Sequence, residues 1–226
     1  MILVTGDTHG NIDFNKIKLL SDKKILTMND YLIIAGDFGA IWDKNTLDRD
    51  LSVYENLNFN ILFVDGNHEN FNLLNSFPVR KWNGGDVHVI RDNIKHLKRG
   101  QVFIIDNKKI LTFGGATSID KYFRTENISW WKEEVPTIDD LQHAKSNLEK
   151  YNNQVDYIIT HSIDEHALAQ LSISLKSKIK VFEENYLLNW IAENVTYKHW
   201  YFGHFHLDVS IDNNKTCLYN DIIELK

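Results

Sequence analysis

Carboxylate, amide and imidazole side chains follow five short apolar runs of this sequence. Divalent ions such as Mn, Fe, Co and Zn accept mixed imidazole and carboxylate ligands. Seven such groups exceed what one ion needs, so the set favours two ions that share a bridging carboxylate. The five segments are Gly6-Asp7-Thr8-His9-Gly10, Gly36-Asp37, Gly66-Asn67-His68-Glu69, His161 and Gly203-His204-Phe205-His206.

Each segment, taken singly, has an ordinary structural explanation. An Asp-x-His sequence is common where a turn carboxylate lies beside a surface histidine, and Gly36-Asp37 is typical of a plain β-turn. The histidines after Gly203 could simply be hydrogen-bonded at a strand end. Five such segments in order, each at the end of an apolar run, make purely structural roles improbable.

The runs that precede these segments are short and continuously apolar, which is typical of strands buried on both faces. In an open α/β sheet the carboxyl ends of the strands form the site crevice. Glycine at such ends permits tight turns that bring ligands close together. The predicted strands cover residues 2–5, 31–35, 61–64, 110–113, 157–160 and 200–202.

Helical periodicity lies between the strands, at residues 15–26, 47–57 and 186–195. Thr137 is a suitable N-cap for a further helix that has Asp139 and Asp140 in its first turn. Near the C-terminus, residues 208–212 and 215–225 predict a hairpin through Asn213-Asn214. Alternating strands and helices followed by strands predict an α/β layered sandwich with a mixed sheet.

The composition narrows the class of protein. No linker or repeat interrupts residues 1–226, so we expect one domain. The net charge of -6 argues against a general nucleic-acid coat protein. Cys217 is the single cysteine, so no intramolecular disulfide can form. Because there is also no signal sequence and no apolar run of ~20 residues, we expect a cytoplasmic protein without a membrane span.

The five segments together resemble the signature of the calcineurin-like metallophosphoesterases, and the resemblance spans residues 5–206. It implies a central mixed β-sandwich flanked by helices. It also implies a role for each residue: Asp37 bridges two ions, and His68 is a catalytic residue near the leaving-group oxygen that binds no metal. The first ion would be bound by Asp7, His9 and His206, and the second by Asn67, His161 and His204.

The resemblance implies metal-dependent hydrolysis of phosphate esters, in which a hydroxide that bridges the ions attacks phosphorus. We expect manganese, with Fe, Zn, Co or Ni as alternatives, and a phosphodiester or nucleotide substrate. A phosphomonoesterase acting on phosphoprotein or a small phosphorylated metabolite remains open. Two readings without catalysis also remain: a scaffold on the same fold, and a regulatory module that reads nucleotides without turnover.

The residues that would contact the substrate lie outside the five segments. Protein phosphatases of the family carry Asp and Arg shortly after Gly-Asp, whereas here the sequence continues Phe38-Gly39-Ala40-Ile41-Trp42. A substitute cation could come from residues 115–136, which we expect to form a loop or insertion near the site. Arg124 or Lys121 would contact phosphate, and Trp130 or Trp131 would either stack on a base or, as we favour, pack the loop.

We do not expect a catalytic role for Glu69 or for the five remaining histidines. Glu69 either orients His68 or lies on the surface. We predict that His88 faces solvent from a strand and that His96 lies in a charged turn. We expect His143 and His166 to lie on helices and His199 to precede a strand. None of these five histidines is expected to bind metal.

Overall fold

A computed structural model describes all 226 residues, and two mixed β-sheets form its centre. The seven-stranded sheet has the order β13-β1-β2-β3-β6-β5-β4, and the six-stranded sheet has the order β11-β12-β10-β9-β8-β7. The strands are β1 Ile2–Thr5, β2 Tyr31–Ile34, β3 Asn60–Phe63, β4 Val79–Trp82, β5 Gly85–Arg91, β6 Ile94–Leu97, β7 Gln101–Ile105, β8 Lys108–Phe113, β9 Tyr157–Thr160, β10 His199–Phe202, β11 Val209–Ser210, β12 Lys215–Cys217 and β13 Ile222–Glu224.

Six α-helices cover the outer faces of the sheets. They are α1 Asn15–Lys23, α2 Leu47–Glu55, α3 Phe71–Leu74, α4 Ile138–Glu149, α5 Glu165–Ser174 and α6 Glu183–Asn194. Two short 3-10 helices, Lys121–Phe123 and Lys132–Glu134, lie between β8 and α4. No helix is both long and apolar enough to cross a membrane.

Alternate residues of the central strands enter different layers of the core. In β1, Leu3 packs into the cluster shared with α1 and α2, whereas Ile2 and Val4 pack between the two sheets. In β9, Ile158 packs towards α4, α5 and α6, whereas Ile159 faces the other sheet. Because both faces of these strands are buried, both sets of positions must be apolar, which explains the continuous apolar runs.

Parallel pairing aligns the strand ends that matter for the site. The strands β1, β2 and β3 are parallel neighbours in one sheet, and β8, β9 and β10 are parallel neighbours in the other. Parallel neighbours present their carboxyl ends at the same edge of a sheet. The segments after β1, β2 and β3 therefore lie along one edge of their sheet, and those after β8, β9 and β10 lie along one edge of the other. Asn67, after β3, contacts His161, after β9, so the two edges meet at one end of the sandwich.

The predicted layered α/β architecture is confirmed, and all six predicted strands are present. The helix after Thr137 begins with a capping box in which Thr137 accepts from the backbone of Asp140 and Asp140 accepts from Thr137. The predicted C-terminal hairpin is only half right, because β11 and β12 pair but residues 218–221 leave that sheet. The final strand, β13, instead pairs with β1 in the other sheet.

The predictions for His88 and His96 are wrong. Both are buried, at 3% and 4% exposure, and lie on neighbouring strands β5 and β6. Their Nδ1 atoms are 2.9 Å apart, and Nε2 of His96 is 3.0 Å from Oδ1 of Asp65. Each buried imidazole thus has a polar partner: His88 has His96 on the neighbouring strand, and His96 has Asp65, which lies 31 residues away in the sequence.

Candidate metal centre

Several residues in the segments after the strands adopt a strained backbone. His9, Asp37, His204 and His206 have φ of 43, 47, 71 and 52 degrees. These values lie in the left-handed region, which costs a non-glycine residue on the order of 1 kcal/mol or more. Such strain is concentrated at functional sites, and here it turns four predicted ligands away from the direction of their strands.

Three glycines permit close approach between the segments. A Cβ atom on Gly66 would lie 2.0 Å from Oδ1 of Asp37, and one on Gly203 would lie 2.2 Å from Oδ1 of Asp7. A Cβ atom on Gly36 would lie 2.0 Å from Nδ1 of His161. The glycines noted in the sequence therefore provide space for carboxylates and an imidazole from other strands.

The structure brings Asp7, His9 and His206 together in one cluster whose potential ligand atoms lie within 4.8 Å of one another. Nε2 of His206 is 3.1 Å from Oδ2 of Asp7. This buried oxygen accepts no hydrogen bond of acceptable geometry, although the other oxygen of Asp7 accepts from the backbone of His204 at 3.0 Å. A buried carboxylate oxygen without a donor is suited to a cation.

Asp37 lies between two groups of donors. Its Oδ2 is 3.4 Å from Nε2 of His9, and its Oδ1 is 3.2 Å from Nε2 of His161. Nε2 of His161 is also 3.1 Å from Oδ1 of Asn67, and the ring of His204 packs against that of His161 at a centroid distance of 4.9 Å. All seven predicted ligands therefore converge around Asp37.

The opposite nitrogens of two histidines are fixed by other groups. Nδ1 of His9 is 2.7 Å from Oδ2 of Asp13, and Nδ1 of His161 donates to the carbonyl oxygen of Ala35 at 2.9 Å. Both rings consequently direct Nε2 to the centre, as is usual for histidines that bind metals. The hydroxyl of Tyr219 donates to Asp13 at 3.0 Å, and the ring of Tyr219 stacks on His206. The sequence analysis predicted a supporting role for neither Asp13 nor Tyr219.

A second set of residues missed by the sequence analysis orients Asn67. Nδ2 of Asn67 donates to Oγ of Ser118 at 3.3 Å, which leaves Oδ1 towards His161. The backbone N and Oγ of Ser118 donate to the buried carboxylate of Glu134 at 2.6 and 2.8 Å. The contact joins the segment after β8 to the site and has no local sequence signal.

The electrostatics fit divalent cations. Burial lowers the pKa of His161, but the charges of Asp37 and Asp7 and the hydrogen bonds to Asp37 and Ala35 together outweigh burial and raise this pKa to about 10. Burial likewise opposes the hydrogen bonds to Asp37 and Asp13 that raise the pKa of His9 to about 9. Without a cation, two buried carboxylates thus draw protons onto the imidazoles. Divalent ions would supply that positive charge and find oxygen and nitrogen donors in place.

His68 lies beside this centre. Its backbone N donates to Oδ1 of Asp37 at 2.8 Å, and its ring meets that of His9 edge-on at a centroid distance of 5.4 Å. Burial lowers the pKa of His68, and the charge of Arg124 acts in the same direction, against that of Asp37. A second potential metal cluster contains His9, Asp37 and His68, so proximity alone does not separate His68 from the ligands.

The two residues predicted to contact substrate differ in their position relative to the cavity that His68 lines. Arg124 lines the same cavity as His68 and pairs with Asp120 at 2.8 Å. Lys121 does not line the cavity, and its Nζ lies over the ring of Trp130, 5.7 Å from the centroid. Trp131 is 1% exposed and packs in the hydrophobic cluster shared with α1 and α2, which agrees with the packing role that we favour for it.

Glu69 is buried completely, so the surface position considered for it is wrong. Its Oε1 accepts from the backbone N of Phe38 at 2.8 Å and from that of Gly39 at 3.4 Å. Burial and the nearby charge of Asp37 raise the pKa of Glu69 well above its usual range. Glu69 thus holds the turn after Asp37.

Comparison with known proteins gives the family. A solved structure of a phosphopantetheinyl hydrolase from Mycobacterium tuberculosis is similar at a TM-score of 0.49, with 17% identity over 96% of this chain and 87% of that chain. No curated protein matches the sequence significantly. The family model for calcineurin-like phosphoesterase matches residues 1–208, which include all five segments. This chain is therefore a phosphoester hydrolase and belongs to the calcineurin-like phosphoesterase family.

Proposed function

We propose that the protein hydrolyses a phosphodiester or nucleotide ester with two divalent cations that share Asp37. The observation that carries this proposal is the position of Asp37, whose two oxygens face the Nε2 atoms of His9 and His161 separately. A carboxylate between two donor groups is suited to bridging two ions. The orphaned oxygen of Asp7 and the fixed Nδ1 atoms of His9 and His161 support the same assignment.

The two proposed ions have different donors. When bound, they would supply a nucleophile near neutral pH and stabilise charge on the phosphoryl oxygens. We propose manganese, because no thiolate takes part and imidazole, carboxylate and amide donors suit it; Fe, Zn, Co and Ni are the alternatives. Asp37 would contact both ions. One ion would also be bound by Asp7, His9 and His206, and the other by Asn67, His161 and His204.

Two side chains act on the substrate in this proposal. His68 donates a proton to the departing oxygen, because its ring lies at the cavity wall while its backbone is fixed by Asp37. Arg124 contacts a phosphoryl oxygen from the same wall. Lys121, which contacts Trp130, is the weaker candidate for that contact.

Charge favours a diester over a monoester. A phosphodiester carries one negative charge at neutral pH, whereas a monoester carries close to two. Arg124 already pairs with Asp120, so it offers less positive charge to a dianion than a free guanidinium would. We therefore expect higher catalytic efficiency on diesters.

The test is metal reconstitution followed by comparison of bis(p-nitrophenyl) phosphate with p-nitrophenyl phosphate. We expect two manganese ions per chain by elemental analysis, restored hydrolysis, and preference for the diester. His68→Ala should lower kcat by roughly 10²–10⁴-fold while retaining both ions. His166→Ala, on the exposed face of α5, is the matched control. A single bound ion would contradict the shared role of Asp37, and preference for the monoester would contradict the substrate class.

A further inference from the structure

The cavity beside the proposed metal centre has a second wall of different chemistry. Its volume is about 290 Å³, and one wall is formed by predicted metal ligands, among them Asp37, Asn67 and His204. Across it, Ile119 and Phe182 come from two segments that are far apart in sequence. The cavity therefore offers apolar contact next to the phosphate position, which suits an organic phosphate.

The apolar wall continues to the mouth of the cavity. Ile119 is 76% exposed although it lines the cavity, and Phe182 and Phe205 are only partly buried. Apolar side chains that are exposed together beside a polar site mark ligand-binding grooves. A phosphoester whose organic part leaves the cavity would cover them.

Lys180 is the unpaired cation of this cavity. It belongs to the segment between α5 and α6, is exposed, and has no carboxylate within ion-pair distance. Its Nζ lies 4.8 Å from the ring centroid of Phe182, which holds the ammonium group at the apolar wall. Arg124, in contrast, already pairs with Asp120.

The other carboxylate near this wall does not neutralise Lys180. Glu184 lines the cavity but is 1% exposed, and both of its oxygens accept hydrogen bonds from Thr117, at 2.9 Å from the backbone N and 2.8 Å from Oγ1. The ammonium group of Lys180 is thus available to an anion from outside the chain. The protein as a whole carries a net charge of -6, which repels anions. An unpaired lysine at the mouth of the cavity would attract an anionic substrate locally.

We propose that Lys180 binds a second phosphate of the substrate, so that the substrate class is an organic phosphodiester with a further anionic group. This inference rests on the proposed function and adds a subsite to it. The scissile phosphate lies at the proposed metal centre, the organic part contacts Ile119 and Phe182, and the second phosphate reaches Lys180 at the rim. A nucleoside that carries a phosphodiester at one position and a phosphate at another has this chemistry.

Binding separates the subsite from catalysis. Thymidine 3′,5′-bisphosphate and thymidine 5′-phosphate differ by one phosphate, and isothermal titration calorimetry measures Kd for each with the manganese-loaded protein. We expect the bisphosphate to bind more tightly and Lys180→Ala to weaken its binding by roughly fivefold, the effect of one exposed ion pair. Binding of the monophosphate should change little. Lys180→Gln, which keeps the length of the side chain, should behave like Lys180→Ala.

The control is Lys178→Ala, which removes an exposed lysine from the same segment that does not line the cavity. Kinetics provide the second measurement, with the p-nitrophenyl ester of thymidine 5′-phosphate carrying or lacking a 3′-phosphate. Wild-type protein should prefer the ester with the 3′-phosphate, and both Lys180 variants should lose that preference while still hydrolysing the other ester.

The outcomes distinguish the subsite from the proposed function. Equal binding of the two nucleotides by wild-type protein, or equal losses in Lys178→Ala and Lys180→Ala, would overturn the subsite while leaving diester hydrolysis intact. Absence of manganese-dependent hydrolysis of bis(p-nitrophenyl) phosphate would instead overturn the proposed function. Failure of wild-type protein to act on either thymidine ester would also count against the subsite.

Discussion

The two histidine clusters of this protein differ in whether the carboxylates beside them already have hydrogen-bond donors. Asp65 is fully engaged, since Nε2 of His96 lies 3.0 Å from Oδ1 and Nε of Arg99 donates to Oδ2 at 2.8 Å. Asp7 keeps one oxygen without a donor, and Asp37 faces an imidazole on each side. A satisfied carboxylate stabilises the fold, whereas an unsatisfied one in a cluster of imidazoles is suited to a cation.

At the scale of the residue, we predict that Ser118→Ala weakens metal binding. Without Oγ of Ser118 the amide of Asn67 loses the contact that directs Oδ1 to His161, and loss of such a supporting contact typically costs 10–100-fold in metal affinity. Calorimetric titration with manganese should show roughly tenfold weaker binding of one ion and an unchanged second ion.

Ser129→Ala is the control for this prediction. Ser129 lies in the same loop, and its hydroxyl accepts only from the backbone N of Thr125 at 3.0 Å. Ser118→Thr should retain much of the affinity, because it keeps a hydroxyl at this position. Identical manganese affinities for wild-type protein and Ser118→Ala would show that Asn67 needs no support.

At the scale of the element, the helices fix the loops whose ends reach the site. The helix α4 begins directly after the loop that contains Glu134, the residue that holds Ser118. Thr137 accepts from the backbone N of Asp140 at 3.2 Å, and Asp140 accepts from that of Thr137 at 2.8 Å. This capping box defines where the loop ends and α4 begins.

We predict that Thr137→Ala lowers the free energy of unfolding by about 1 kcal/mol, since it removes the side chain that caps α4. Thr137→Ser keeps the hydroxyl and should lie close to the wild-type value. Urea denaturation followed by circular dichroism measures both. Equal stability of the Ala and Ser variants would indicate that Asp140 alone is sufficient.

At the scale of the whole molecule, the centre joins the two sheets. Asp7, Asp37 and Asn67 follow strands of one sheet, whereas His161 and His204 follow strands of the other. The two groups are in direct contact: the backbone N of His204 donates to Oδ1 of Asp7 at 3.0 Å, and Nε2 of His161 lies 3.1 Å from Oδ1 of Asn67. Cations bound here would connect the sheets at the end where all the site segments meet.

We therefore predict that manganese stabilises the protein. A ligand that binds only the folded state at 100 times its Kd adds about 2.7 kcal/mol to the free energy of unfolding. Tm, measured by calorimetry, should rise with manganese in wild-type protein and much less in Asp37→Asn, which weakens the shared ligand. An equal rise in both would mean that manganese binds elsewhere.

Stability should also depend on pH through His88. Burial lowers the pKa of His88 from 6.5 to about 4, and the charges of His96 and Lys98 act in the same direction, against Asp65. The unfolded chain therefore binds a proton at this position before the folded protein does. The contribution is fully present above pH 6.5 and is lost as the pH falls towards 4.

His88→Gln should make stability less dependent on pH in this window, because the substituted side chain takes up no proton. Urea denaturation at several pH values, on protein stripped of metal, gives the slope. His166→Gln, an exposed position on α5, should keep the wild-type slope. Matching slopes for His88→Gln and wild-type protein would show that His88 does not couple folding to pH.

Local patterns in the sequence are sufficient to locate the strands and the donors that follow them. Continuous apolar runs specify strands buried on both faces, and residues such as Asp7, Asp37 and His161 are marked by position directly after such runs. The predicted capping of α4 by Thr137 was equally local and is confirmed. These features depend on a few neighbouring residues, so local patterns carry them.

The groups that support these donors come from distant parts of the chain and cannot be read from local patterns. Asp13 and Tyr219 meet across 206 residues of chain, and Ser118 reaches Asn67 across 51. The contact of Glu69 with the turn after Asp37, the contact of His96 with Asp65, and the transfer of β13 to the other sheet likewise depend on partners far along the chain. Packing of the two sheets creates these contacts, and no local period or spacing encodes them.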